Sequence, residues 1–178
     1  MLRRACLIGV GHSLPSRVVE NREFEKWTET SDEWITSRSG IKRRHFAAPG
    51  QTTSNLAIEA AKAALIDANI DGSEIDAIIV ATSTPDTTFP AVATIVQGAL
   101  SIKSGFAFDI QAVCAGFVFA LANADALIIS KQANRVLVIG AETFSRIMNW
   151  KDRSTSVLFG DGAGAVILEA KDYREGEL

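Results

Sequence analysis

The sequence predicts an α/β fold, with a mixed, mostly parallel sheet and flanking helices. Three observations carry this. Short apolar runs alternate with stretches of helical apolar spacing, the pattern of βαβ units. The order of these elements reads roughly β-α-α-β-α-β-α-β-β-β. Neither a linker nor an internal repeat interrupts it, and 178 residues suit one domain with a sizeable core.

Residues 5–10 form the first apolar run, ended by Gly11 and Pro15. Thr30-Ser-Asp-Glu33 fits a capping box with Thr30 as the cap, opening a short helix over residues 32–37 that carries Trp34 and Ile35. Leu56, Ala57, Ala60, Ala61, Ala64, Leu65 and Ala68 recur at helical spacing, with Glu59, Lys62 and Asp67 off that face, and Asp71-Gly72 stops the helix. Ala77–Ala81 reads as a buried strand. Pro90 suits the first turn of a helix whose apolar side is Val92, Ile95, Val96 and Ala99. Phe106–Ile110 is a strand again, and the spacing from Phe117 to Ile128 predicts the longest helix. Residues 135–140 form a further strand. Two β-like runs, residues 155–159 and 163–168, flank Gly160-Asp-Gly162. From Ala170 the sequence turns polar, without a closing element.

Composition narrows the function classes. With 47% hydrophobic and 22% charged residues and a net charge of −3, the chain lacks the basic surplus of general nucleic-acid binders. Arg38, Lys42, Arg43, Arg44 and His45 nevertheless cluster, which leaves room for a local anion site. Two cysteines, Cys6 and Cys114, make neither a disulfide framework nor a zinc pattern, and a reducing, cytoplasmic setting fits. The N-terminus has the charge-then-apolar order of a signal peptide, but its apolar run is short and broken by Gly9 and Gly11. Nothing approaches the roughly 20 apolar residues of a membrane span.

Cys114 is the candidate nucleophile. It follows a strand and precedes a long helix, where unpartnered backbone amides and the helix dipole favour a thiolate and can donate to a developing oxyanion. Ala115 and Gly116 keep its surroundings small, so a substrate carbonyl could approach. An inert, buried cysteine is the alternative, and it is the reading for Cys6. His12, placed in the turn after the first strand, and His45 read as loop or surface residues rather than as a base for Cys114. Gly9-Val-Gly11 has Leu14 where a dinucleotide fingerprint needs its third glycine, so it is a plain turn. The glycines of Gly160-Asp-Gly-Ala-Gly164 serve a tight turn or a close backbone approach. Trp34 and Arg38, four apart, share a helix face and can sandwich a flat heterocycle, although such pairs are more often packing.

Three stretches carry a resemblance. Thr30-Ser-Asp-Glu-Trp-Ile-Thr-Ser-Arg-Ser-Gly-Ile-Lys-Arg-Arg-His45, Ala112-Val-Cys-Ala-Gly-Phe117 and Phe159-Gly-Asp-Gly-Ala-Gly-Ala165 resemble the β-ketoacyl-acyl-carrier-protein synthase III family, in its order and spacing. The likeness runs from Ala5 to about Glu169. It implies a thiolase-like fold of which residues 1–178 are the N-terminal half, the C-terminal half being absent. It also implies a mechanism that starts type II fatty-acid synthesis. An acyl-CoA primer, typically acetyl-CoA, acylates Cys114, and decarboxylative condensation with malonyl-acyl-carrier-protein gives 3-oxoacyl-acyl-carrier-protein and CO2. Trp34 and Arg153 match positions that hold the CoA adenine between them. Arg38 and Thr30 match positions near the nucleotide. Phe89 matches a residue that reaches the neighbouring subunit's acyl pocket in the family's homodimer, and Asp161 matches a structural turn. The resemblance implies no cofactor beyond the CoA thioester substrate and no metal.

The family's catalytic His and Asn belong to its second half, and nothing in this sequence matches them. Half of such a fold exposes apolar surface at about 25 cal/mol per Å2, so the expectation is a chain that neither folds well nor works alone. Two other readings stand beside this one. One is a synthase III-like acyltransferase or polyketide starter enzyme. The other is a non-catalytic, half-length binding subunit.

Overall fold

The computed structural model describes residues 2–174. Its regular elements are β1 (Leu2–Ser13), β2 (Arg17–Glu20), α1 (Asn21–Phe24), α2 (Asp32–Ser39), β3 (Arg43–Phe46), α3 (Thr53–Ala68), β4 (Ala77–Ala81), α4 (Val92–Ala99), β5 (Phe106–Ile110), α5 (Gly116–Ile129), β6 (Arg135–Thr143) and β7 (Asp161–Tyr173). Five strands make one sheet in the order β1-β7-β6-β4-β5. β4 pairs in parallel with both β5 and β6, whereas β7 runs antiparallel to β6 and to β1. Four strands therefore share one direction, and the expected mixed, mostly parallel sheet is found.

Helices cover both faces. α3 and α4 close one apolar core with β4, β6 and β7, and α5 closes a second over β4 and β6. The approach of α3 explains the glycines of the first strand. A Cβ at Gly11 would lie 2.3 Å from the backbone O of Ala60, and one at Gly9 2.6 Å from that of Ala64. Strand β1 thus continues through Gly11 to Ser13 instead of turning there, and His12 is a strand residue paired with Gly164.

A smaller lobe stands beside the sheet. β2 and β3 pair with each other, and with α1 and α2 they enclose Val19, Phe24, Ile35, Phe46 and Val157. The strand pair and α1 escape sequence reading because each is only four residues long and charged side chains interrupt it. α2 starts at Asp32 as expected, but its cap lies one residue later than expected. Ser31, not Thr30, is its cap, its hydroxyl accepting from the amide of Trp34 at 3.1 Å, so Glu33 closes no capping box. The helix runs on to Ser39, where Gly40 adopts the left-handed φ of 71°.

Other boundaries move for local reasons. Asn69, in a left-handed cap, ends α3 before Asp71, and α3 with 16 residues exceeds α5 with 14 as the longest helix. Pro90 precedes α4 rather than entering it, and Asp109 on β5 accepts from the amides of Val92 and Ala93, both at 2.8 Å. Residues 155–159 are not a strand. The Asp152 carboxylate takes the amide and hydroxyl of Ser154 and the hydroxyl of Thr155, curling the chain into the 3-10 helix Ser156–Leu158. Asp161 already belongs to β7, where it is buried and accepts from Ala47 and Ser145. Close approach is what its flanking glycines serve: a Cβ at Gly160 would lie 2.9 Å from Arg44 and one at Gly162 2.9 Å from Leu14. The polar tail does contribute structure, since β7 continues to Tyr173, whose hydroxyl is 3.1 Å from Cys6. The last four residues of the tail lie outside the described residues.

Candidate active site

Ala81 and Ile110 end β4 and β5 in register with each other, and Ala81 is in register with Gly140 of β6, which runs on to Thr143. In open α/β sheets the carboxyl edge of the strands is where ligands bind. Cys114 follows β5 in the 3-10 helix Val113–Ala115, which runs directly into α5. Val113 before it takes a φ of 49°, a left-handed conformation that a β-branched residue rarely adopts and that costs of order 1–3 kcal/mol. Cys114 itself is exposed and not buried. No side chain caps the 3-10 helix or α5; the amides of Ala115 and Gly116 donate to the carbonyls of Ala112 and Val113.

Gly116 is buried, and a Cβ there would lie 3.2 Å from that of Ala81, so the glycine lets the helix start approach β4. Ala115 is exposed beside Cys114. Neither histidine pairs with Cys114. His45 lies on β3, its Nδ1 2.6 Å from the carbonyl of Pro15, and His12 lies on β1. Among the described residues the Cys114 thiol has no hydrogen-bond partner, and no group of three or more His, Cys, Asp or Glu could hold a metal.

The loop after β4 completes this edge. Glu142, at the end of β6, accepts from the amide of Ser83 at 2.7 Å and from the hydroxyl of Thr84 at 2.5 Å. It anchors the segment that leads to Phe89, which projects into solvent at 82% exposure. Thr82, Pro85, Thr87, Thr88, Asp109 and Gln111 line a pocket of about 340 Å3 beside it. Sequence reading missed Glu142 and Asp109. Their signal was a carboxylate inside or ending an apolar strand, which needs hydrogen-bond donors around it.

Trp34, Arg38, Arg153 and Thr30 come together in the lobe. The Arg38 guanidinium sits 4.4 Å from the centre of the Trp34 ring and that of Arg153 4.9 Å. Trp34, Arg153, Glu29, Thr30 and Ser31 line a pocket of about 240 Å3. Arg153 Nη1 donates to the carbonyl of Glu29 at 3.0 Å, and the Thr30 hydroxyl is buried without a protein partner. A flat heterocycle between Trp34 and Arg153 needs about 7 Å, twice a van der Waals contact, so Arg153 has to swing outward to admit one. Hydrogen bonds from Ser154 and Thr155 hold the Asp152 carboxyl beside it below the ordinary carboxylate range. The five-residue basic cluster does not form one anion site. Arg44 is buried, His45 is tied to Pro15, Arg38 lies over Trp34, and Lys42 and Arg43 line a separate surface pocket with Glu20, Arg22 and Asp32.

Comparison with known proteins adds to this geometry. The family described as 3-oxoacyl-[acyl-carrier-protein (ACP)] synthase III matches residues 108–178. A β-ketoacyl-[acyl-carrier-protein] synthase III of Rhodobacter capsulatus is 70% identical over 172 residues, which are 97% of this chain and 53% of the relative. The Ruegeria pomeroyi protein of that name is 67% identical over 177 residues, 99% of this chain and 54% of the relative. The crystal structure of 3-oxoacyl-[acyl-carrier-protein] synthase III from Aquifex aeolicus superposes with a TM-score of 0.91 at 49% identity, covering 97% of this chain and 55% of that one. The priming β-ketosynthase of the R1128 polyketide pathway gives 0.91 at 35% identity, over 97% and 51%. The chain thus spans about half the length of the curated relatives it matches. Among the described residues no helix is long and apolar enough to cross a membrane.

Proposed function

We propose that the chain is a member of the 3-oxoacyl-[acyl-carrier-protein] synthase III family, whose thiolase-like α/β fold it shares, and that it carries the acylation half of a condensing reaction that initiates fatty-acid synthesis. The observation that supports this best is Cys114, an exposed thiol at an uncapped helix start beyond the carboxyl ends of parallel strands. Cys114 Sγ attacks the thioester carbonyl of an acyl-CoA, typically acetyl-CoA. The oxyanion that forms draws on the donors of the helix start. The bond from carbon to the CoA sulfur then breaks, leaving the acyl group on Cys114, and CoA departs as thiolate to take up a proton. CoA is a substrate here, with no further cofactor. Trp34, Arg38, Arg153 and Thr30 hold its nucleotide end.

In the second step malonyl-acyl-carrier-protein loses CO2. The resulting carbanion attacks the Cys114 thioester, and the carbon–sulfur bond breaks to give 3-oxoacyl-acyl-carrier-protein and a free thiol. The His and Asn that handle this step come, in the family pattern, from the second half of the fold, and Phe89 reaches across a homodimer into the partner's acyl pocket. This chain alone is accordingly incomplete for condensation. The test is to supply radiolabelled acetyl-CoA to the chain, with and without a C-terminal half of the family, and to locate the label by mass spectrometry. Label on Cys114 in the presence of both halves, lost in Cys114→Ala, is expected. Absence of label in both mixtures, with Cys114 no more reactive to iodoacetamide than an ordinary thiol, would favour a binding-only subunit instead.

A further inference from the structure

Arg44 is 7% exposed, yet none of the ion pairs among the described residues includes it. A guanidinium that deep needs acceptors, and it has two at 2.6 Å: Asn21 Oδ1 from Nη1 and the carbonyl of Val157 from Nη2. It also lies over the Phe24 ring at 4.4 Å. Asn21 is 1% exposed. Its Nδ2 donates its two hydrogens to Asp32 Oδ1 at 2.8 Å and to the carbonyl of Ile41 at 2.7 Å, with Thr36 Oγ1 3.2 Å away and itself donating to Asp32 Oδ1. The amide therefore stands between the Asp32 carboxylate and the Arg44 guanidinium, its two ends oriented by the two charges.

These bonds join the pieces that meet at Trp34. Asp32 and Thr36 belong to α2, the helix that carries Trp34 and Arg38, and Ile41 follows its left-handed cap. Val157 lies four residues beyond Arg153, past the turn that Asp152 staples. We infer that Asn21 and Arg44 are positioning residues for the nucleotide clamp, setting the α2 wall and the Arg153 turn at a fixed distance without touching the ligand. This rests on the reading of Trp34 and Arg153 as a CoA clamp. Burial pushes the Arg44 guanidinium below its ordinary value, an electrostatic cost that an apolar side chain would avoid. What arginine adds is its planar fork, which serves two acceptors on different segments at once; a lysine ammonium on a flexible stem does not hold that geometry.

The experiment measures two properties of the full chain, CoA affinity by titration calorimetry and the alkylation rate of Cys114 by iodoacetamide, read by mass spectrometry. Arg44→Met is expected to weaken CoA binding about tenfold and Arg44→Lys about threefold, the scale of one or two buried groups left unpaired. The Cys114 rate is expected to stay at the wild-type value in both. Arg44→Lys decides the matter if the methionine variant fails to fold. Equal loss in both readouts would reduce Arg44 to general structure and overturn the inference. Unchanged CoA affinity in both Arg44 variants, alongside weakened binding in Trp34→Ala, would overturn the inference and leave the clamp standing. Wild-type chain that does not bind CoA, or Trp34→Ala that binds it unchanged, would sink the clamp reading and this inference with it.

Discussion

α3 and α5 flank the same sheet on opposite faces, and they are finished in opposite ways. α3 is closed at both ends, by the Thr52–Asn55 capping box and by Asn69 in a left-handed cap. One stripe, from Leu56 to Leu65, is buried, while Glu59, Lys62 and Asp67 meet solvent. α5 has no side-chain cap, and Asn123 and Asp125 are its only polar residues. Its buried stripe is small, Gly116, Ala120, Ala124 and Ile128 at intervals of four, and Val118, Phe119 and Ile129 are left exposed on its other side. An apolar pocket of about 360 Å3 between Phe117, Val10 and Val166 opens beside it. A helix with one apolar stripe is built to cover a sheet, and one that is apolar all round is built to be covered in turn. The same contrast runs through the helix starts: Thr52 and Asp86 accept from amides in the first turn of α3, whereas no side chain caps α5, which follows Cys114.

The largest expected effect lies under α3. Gly11→Ala places a methyl group 2.3 Å from the Ala60 carbonyl oxygen and the Ala64 amide nitrogen, backbone atoms that cannot give way without moving the helix. Urea unfolding should show a loss of about 3 kcal/mol. A loss below about 0.5 kcal/mol, the usual range for a surface change, would mean that α3 rides loosely on β1 and that the two helices differ less than their packing suggests.

How far the sequence revealed these two helices follows from the same physics. The stripe of α3 has a polar opposite face, so its period is plain; for α5 the spacing marks Phe117, Ala120, Leu121, Ala124, Leu127 and Ile128, of which Ala120, Ala124 and Ile128 are buried. Ala77–Ala81 and Phe106–Ile110 were legible to the residue, being apolar runs with abrupt ends. β2 and β3 were not, since short charged strands are held by pairing partners distant in sequence. In the site, Cys114 and the Trp34–Arg38 pair could be singled out because their chemistry is local: a thiol before a helix, and two residues one turn apart. The arrival of Arg153 at Trp34 depended on a loop more than a hundred residues away, and only family likeness pointed to it. Asn21, Arg44 and Glu142 stayed hidden because their roles are hydrogen bonds to segments that no periodicity links.

A middle-sized effect comes from the caps. Thr52→Ala removes the hydroxyl that accepts from the Asn55 amide at 3.2 Å and should cost about 1 kcal/mol, measured by the same unfolding experiment. α5 has no equivalent side chain to remove. If Thr52→Ala proves neutral, water serves the first turn of α3 as well as the threonine does, and the contrast between a closed and an open helix start weakens.

Phe119→Gln should have the smallest effect, and it bears most directly on the bare side of α5. Phe119 is 51% exposed. In the chain by itself, removing the ring from a half-open position is expected to change stability by no more than about 0.5 kcal/mol, and the glutamine should lower any tendency to associate by breaking the apolar patch it shares with Val118. A cost approaching about 3 kcal/mol, the scale for a buried phenylalanine, would show that this face is covered in solution. Repeating the measurement over a range of chain concentrations separates the sources of such a cost. A concentration-dependent cost points to a second copy of the chain over α5, and a constant one to a rearrangement within it. Either result would move α5 from the open to the closed side of the comparison, while leaving the uncapped start that bears Cys114 unchanged.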